Sequence, residues 1–135
     1  MIKLICTDKV KESYIEKGIK DYFKRINKYI KFEIIETEKV LNVIKEKDFL
    51  ICLDILGNEL DSITFSKFLE KQLIINSNIV FVIGESNGIS KEVLERSNYN
   101  LSFSKMTFPN QLFRLLFLEQ LYRCFKIINN ETYHK

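Results

Sequence analysis

The last residues of the chain offer the richest chemistry. Tyr133, His134 and Lys135 are adjacent, and His134 is the only histidine. A histidine titrates near neutral pH, a tyrosine hydroxyl donates a hydrogen bond, and a lysine binds phosphate. This combination suits proton transfer or substrate positioning beside an anionic ligand. A frayed polar terminus is the ordinary alternative, and the residue types alone leave both interpretations open.

A second candidate segment follows the apolar run 79–83. Gly84 and Gly88 enclose three polar residues, and Ser90 can cap the helix that comes next. The segment is too short for a P-loop and lacks the Gly-Lys-Ser/Thr ending. It therefore indicates either a plain tight turn or a loop that approaches a nucleotide-like ligand.

A third candidate segment is the polar loop 101–111, which leads into a helix started by Pro109. Its backbone groups can hydrogen-bond an adenine edge, while Leu101, Met106 and Phe108 offer apolar faces to the ring.

Alternating strand and helix patterns must position these segments. The patterns predict strands at 2–6, 32–36, 49–55, 79–83 and 101–103, helices at 10–28, 63–74, 91–96 and 109–128, a short helix or loop at 37–48, and a turn at Gly57-Asn58. We therefore expect one α/β domain, residues 1–135, with a mostly parallel sheet flanked by helices. Gly57, Gly84 and Gly88 all follow predicted strands, at the sheet edge where ligands bind in such folds.

Composition excludes several classes of protein. No apolar run is long enough to span a membrane, and the first eight residues turn polar too early for a secretory signal, so we expect a cytoplasmic protein. Three widely spaced cysteines and one histidine predict buried thiols and no metal site. The net charge of +3 neither requires nor excludes RNA binding.

The last helix is apolar around most of its circumference. We expect one small domain to be unable to cover it, which favours a homodimer with a two-fold partner helix. Glu119 and Arg123 are four residues apart and can pair along the helix. The arginines of this helix have two possible roles, a structural ion pair or contact with an anionic ligand, and the sequence does not decide between them.

Taken together, these segments resemble the ribosomal RNA large subunit methyltransferase H family, of the SPOUT class. The resemblance is close from about Phe81 to Lys135 and looser around 53–57. It rests on an Ile-Gly-x-x-x-Gly turn, an L-S-x-S-x-x-T-x-P loop, an E-Q-x-Y-R helix and the terminal Tyr-His.

The resemblance implies an S-adenosylmethionine-dependent enzyme that methylates N3 of a pseudouridine in a stem-loop of 23S ribosomal RNA. It implies a homodimer, no metal, and a C-terminal deep trefoil knot that holds the cofactor. The implied cofactor residues are Leu53, Gly84, Phe103, Ser104, Lys105, Met106, Thr107 and Phe108. The implied catalytic residues are His134, Tyr133 and Arg123, the implied RNA contacts are Lys135 and Arg114, and the tail can serve the partner's cofactor.

The chain departs from the family pattern at three places. Glu85 stands where most relatives have a second glycine, Asn110 stands where many have histidine, and the segment 37–48 is shorter than usual. These departures bear on cofactor fit and on RNA contacts.

The target nitrogen must lose a proton, and His134 can either accept that proton or only position the base. Two alternative functions stay open. One is a knotted methyltransferase that acts on another RNA, such as transfer RNA. The other is a dimeric RNA-binding or ribosome-assembly module without activity.

Overall fold

The computed structural model describes residues 1–84 and 88–133, and these form a five-stranded parallel sheet. The strands are β1 Ile2–Cys6, β2 Phe32–Glu36, β3 Phe49–Glu59, β4 Ile79–Ile83 and β5 Tyr99–Ser102, in the order β2-β1-β4-β3-β5. Every paired neighbour runs parallel. The predicted α/β class is confirmed.

β4 is apolar along its whole length because both faces of the sheet are covered. All five of its residues are buried. Phe81 belongs to the core on one face, while Val80 and Val82 belong to the core on the other. A strand covered on both faces reads as a continuous apolar run, which is why its bounds were predictable.

Helices lie on both faces of the sheet. The helices are α1 Ser13–Asn27, α2 Ser62–Ile75, α3 Lys91–Arg96 and α4 Asn110–Ile128, and a 3₁₀ helix spans Val40–Val43. Core residues from α1, α2 and α4 form one cluster, and those from α3 and the 3₁₀ helix form the other. The segment predicted as a short helix or loop contains that 3₁₀ helix.

The start of α1 differs from the prediction. The helix was expected from residue 10 but begins at Ser13. The Val10 N–H donates to Glu36 Oε2 at 2.9 Å, and the Lys11 N–H donates to Gln111 Oε1 at 3.0 Å. These distant partners hold the backbone in a non-helical path, and local periodicity cannot reveal them.

The environment of α4 corrects one step of the sequence argument. α1 and α2 flank this helix, so a single chain buries much of it. Among its larger apolar side chains only Leu112 and Leu116 are exposed, at 39% and 37%. The apolar circumference of α4 therefore does not by itself require a second chain.

The carboxyl end of β3 was also predicted incorrectly. The expected turn at Gly57 does not end the strand, which continues to Glu59. Leu53 and Asn58 both align with Leu101 of β5, so the residues between them bulge out of the ladder. A Cβ on Gly57 would lie 2.7 Å from the carbonyl carbon and oxygen of Asn100, so this glycine lets the strands rejoin.

Candidate active site

A cleft of about 1060 Å³ opens beside the bulge of β3 and the carboxyl ends of β4 and β5. Leu53, where the bulge begins, aligns with Ile83 at the end of β4 and with Leu101 near the end of β5. In open parallel sheets this edge is where ligands bind.

The cleft collects most of the residues predicted to hold a cofactor. Those that line it are Leu53, Gly84, Phe103, Ser104, Met106, Thr107 and Phe108. Lys105 is the predicted cofactor residue that does not line it. The two segments that suggested a ligand in the sequence therefore meet at one site.

Two glycines form a narrow part of the cleft wall. A Cβ on Gly84 would lie 2.7 Å from the carbonyl carbon and oxygen of Gly88. Gly88 has φ +85°, a conformation that side chains rarely adopt. The backbones of these two residues can lie this close together only because Gly84 has no side chain. Glu85, which stands where most relatives have a second glycine, lies outside the described residues.

The loop between β5 and α4 is held by its own side chains. Ser102 Oγ donates to the Ser104 carbonyl at 3.0 Å, and the Met106 N–H donates to Ser104 Oγ at 3.0 Å. Phe103 and Phe108 both contact the Phe113 ring, with centroids 5.1 and 6.1 Å away. Aromatic anchors of this kind fix a loop that has no regular structure.

Arg114 connects the start of α4 to two strands. Its side chain is 2% exposed. Nη1 donates to Glu36 Oε2 at 2.7 Å, and Nη2 donates to the Asp8 carbonyl at 2.8 Å and to Asp8 Oδ1 at 3.3 Å. A guanidinium held in this way is not free to contact RNA, which argues against the RNA-binding role predicted for Arg114.

The pKa of Glu36 reflects this contact. Burial acts to raise the pKa, but hydrogen bonds from Arg114 and from the Val10 N–H outweigh burial and hold the pKa below its ordinary value of 4.5. The carboxylate therefore stays charged opposite Arg114 at neutral pH.

Sequence reasoning missed three polar residues that line the cleft: Asp8, Lys11 and Asp54. Gln111, the last residue of the candidate loop 101–111, lines it as well. Gln111 Nε2 donates to the Lys9 carbonyl at 2.9 Å, so it fixes the β1–α1 segment against α4. The available signal was position, because Asp8 and Asp54 each closely follow the last buried residue of a parallel strand.

Tyr133 and Arg123, both predicted to be catalytic, meet at Glu119. Tyr133 Oη donates to Glu119 Oε2 at 2.9 Å, and Arg123 Nη2 pairs with the same oxygen at 3.0 Å. The Arg123 guanidinium carbon lies 5.1 Å from the centre of the Tyr133 ring. Burial and the hydrogen bond to Glu119 raise the pKa of Tyr133 to about 12, so its hydroxyl is protonated at neutral pH.

This tail cluster is not part of the cleft within one chain, since neither Tyr133 nor Arg123 lines it. His134 and Lys135 lie outside the described residues. The structure thus brings together most of the predicted cofactor residues and, separately, part of the predicted catalytic set.

The comparisons with known proteins bear on this arrangement. The family model described as "Predicted SPOUT methyltransferase" matches residues 1–134. The chain belongs to the SPOUT methyltransferase family.

Curated relatives of this SPOUT methyltransferase match over nearly its whole length. A protein of Clostridium perfringens (strain SM101 / Type A), named Ribosomal RNA large subunit methyltransferase H 1, is 45% identical, with 99% of each chain covered. A protein of Clostridium tetani, named Ribosomal RNA large subunit methyltransferase H, is also 45% identical with the same coverage. The family resemblance read from the sequence is confirmed.

The alignment also supports the expected shortening. It spans 157 positions, whereas this SPOUT methyltransferase has 135 residues. The C. perfringens relative therefore carries residues that this chain lacks. The short connection between β2 and β3 is where the sequence predicted the difference.

A solved structure shares the fold. It is described as "a probable methylase family protein from Haemophilus influenzae Rd KW20", with a TM-score of 0.60 and 14% identity, covering 99% of this chain and 70% of that one. At this identity the likeness concerns the fold alone.

The prediction that the three cysteines are buried thiols is confirmed. Cys6, Cys52 and Cys124 are buried and unpaired, and burial raises their pKa values to about 12, 11 and 12. Within residues 1–84 and 88–133, no group of histidine, cysteine, aspartate or glutamate side chains could hold a metal ion. No helix of this part of the chain is long and apolar enough to cross a membrane.

Proposed function

We propose that this protein transfers a methyl group from S-adenosylmethionine to ribosomal RNA of the large subunit. One observation carries the proposal: the cleft gathers every predicted cofactor residue except Lys105, in a chain that is 45% identical, over 99% of its length, to a protein named for that reaction.

The cleft fits such a donor in size and chemistry. Its volume of about 1060 Å³ is at the upper end of ordinary small-molecule sites, which are roughly 300–1,000 Å³. Leu53 and Phe108 offer apolar faces to an adenine ring, and the backbone of residues 103–108 offers hydrogen bonds. S-adenosylmethionine supplies an activated methyl group on a positively charged sulfur.

The proposed methyl acceptor is N3 of a pseudouridine in a stem-loop of 23S ribosomal RNA. The protein mainly aligns the reactants, since orientation alone can supply much of the rate. The imide nitrogen must lose its proton, and His134 accepts that proton or positions the base. Lys135 contributes a positive charge for the RNA phosphates.

We further propose a homodimer in which the tail of one subunit completes the cleft of the other. Three facts support this arrangement. Tyr133 is bound to Glu119 away from the cleft of its own chain, Leu112 and Leu116 leave an exposed apolar strip on α4, and Met106 in the cleft wall is 75% exposed. The C-terminal trefoil knot and a cytoplasmic location stay predictions.

Mass analysis of ribosomal RNA from cells that lack the protein tests the proposed function. We expect one methylated pseudouridine of 23S ribosomal RNA to lose its methyl group, and a reintroduced gene to restore it. Loss of a methyl group from transfer RNA instead would favour the first alternative. Unchanged RNA, together with no binding of S-adenosylmethionine in calorimetry, would favour an assembly module.

A further inference from the structure

Asp54 holds a distinct position at the cleft. It follows Leu53, the last residue of β3 that pairs regularly with β5 before the ladder resumes at Asn58. It therefore begins the bulge, and it lines the cleft. Bulges of this kind turn a side chain away from the direction that a regular strand would give it.

The charges around the cleft single out this carboxylate. Asp8 also lines the cleft, but its Oδ1 is paired with the Arg114 guanidinium at 3.3 Å. Asp54 is half-buried and makes no hydrogen bond or ion pair with any residue in 1–84 or 88–133, Lys11 included. A partly buried carboxylate without a partner favours a positively charged ligand group.

We propose that Asp54 faces the positively charged sulfur of the methyl donor and selects the donor over the spent product. The inference rests on the proposed function, and it adds a specificity-determining residue to the cleft. The sulfur is a cation before transfer and a neutral thioether afterwards. Its attraction to Asp54 therefore disappears once the methyl group has gone, which favours exchange of product for fresh donor.

Calorimetry with S-adenosylmethionine and S-adenosylhomocysteine tests this role, because the two ligands differ at the sulfur. For Asp54→Asn we expect binding of the first to weaken by about tenfold relative to binding of the second, a partly exposed charge contact being worth that much. Asp54→Glu keeps the charge and should retain most of the preference. Glu59→Gln removes an exposed carboxylate from the same strand, outside the cleft lining, and should leave both affinities unchanged.

Equal weakening of both ligands in Asp54→Asn would overturn the proposal, because the side chain would then contact a part that the two ligands share. Unchanged affinities would overturn it as well. If Asp54→Asn does not fold in urea titrations, Asp54→Ser gives the same comparison. Wild-type protein that binds neither ligand would contradict the proposed function itself, and so the two failures are distinguishable.

Discussion

Arg114 is a buried cation that meets two carboxylates. Asp8 follows β1 and Glu36 ends β2, so the guanidinium fixes the start of α4 to both strand ends. The carboxylates are 30% and 35% exposed while the arginine is 2% exposed. Removing the arginine would leave two partly buried carboxylates near one another without their shared cation, which is costly.

Arg114→Met should lower the free energy of unfolding by about 2 kcal/mol, less than for a fully buried pair because both carboxylates reach solvent. Urea titration at neutral pH measures the loss. Lys20→Met breaks an exposed pair with Glu16 and should cost about 0.5 kcal/mol or less. Equal losses in the two variants would show that Arg114 is not an anchor.

Two tail residues, Tyr133 and His134, are expected to affect the pH dependence of the reaction differently. The pKa of Tyr133 is raised to about 12, so its hydroxyl cannot accept a proton near neutral pH. Tyr133→Phe should reduce methylation without moving the neutral limb of the pH–rate profile.

His134→Ala should lower the rate about a hundredfold or more if the histidine is the base. Full activity of His134→Ala with an unshifted profile would remove that role.

Residue-level contacts were predictable only where they are local. The Glu119–Arg123 pair follows from a spacing of four on a helix, and it is present at 3.0 Å. The partners of Arg114 are 78 and 106 residues away in sequence. No pattern in a single chain relates residues so far apart, and so the sequence left ion pairing and ligand contact both open for this arginine.

At the scale of elements, the turn after β4 and the loop before α4 each form one wall of the cleft. β4 ends at Ile83, where the paired glycines begin, and the loop of residues 103–109 ends where α4 begins. The end of β4 and the start of α4 were predictable because a buried run and Pro109 mark them. β5 was expected at 101–103 but spans Tyr99–Ser102. The bulge of β3 could not be predicted, because a glycine at position 57 is equally compatible with a turn that ends the strand.

Gly84→Ala should weaken binding of S-adenosylmethionine by at least about tenfold, because its Cβ would meet the Gly88 backbone at 2.7 Å and the turn must shift. Calorimetry measures the affinity. Gly18→Ala is the matched control, since its Cβ would meet only the flexible Leu115 side chain, also at 2.7 Å. An unchanged affinity in Gly84→Ala would mean that the turn does not touch the donor.

At the scale of the whole molecule, the predicted functional residues lie in two places. The cleft lies at the start of α4, and the tail cluster lies on Glu119 in the middle of that helix. The fold class could be inferred from the sequence, and the family resemblance placed seven of its eight predicted cofactor residues in one cleft. The division between the two places could not, because it depends on how the tail folds back.

Mixed dimers test whether the tail acts on the partner. His134→Ala inactivates the tail and Gly84→Ala inactivates the cleft, so each pure dimer should be inactive. When unfolded subunits of the two variants are mixed and refolded, half of the dimers should contain one subunit of each. In each mixed dimer, one of the two sites combines an unmutated tail with an unmutated cleft. About one quarter of the wild-type number of active sites should therefore be restored. Absence of any recovery in refolded mixed dimers would place tail and cleft in the same chain.

The most direct test of the account is methyl transfer by the purified protein. Large ribosomal subunits from cells that lack the protein are incubated with S-adenosylmethionine, and their RNA is digested and analysed by mass spectrometry. The account predicts one new N3-methylated pseudouridine in 23S ribosomal RNA with wild-type protein, and much less with Gly84→Ala. Subunits that stay unmethylated, although the protein binds the donor, would contradict it.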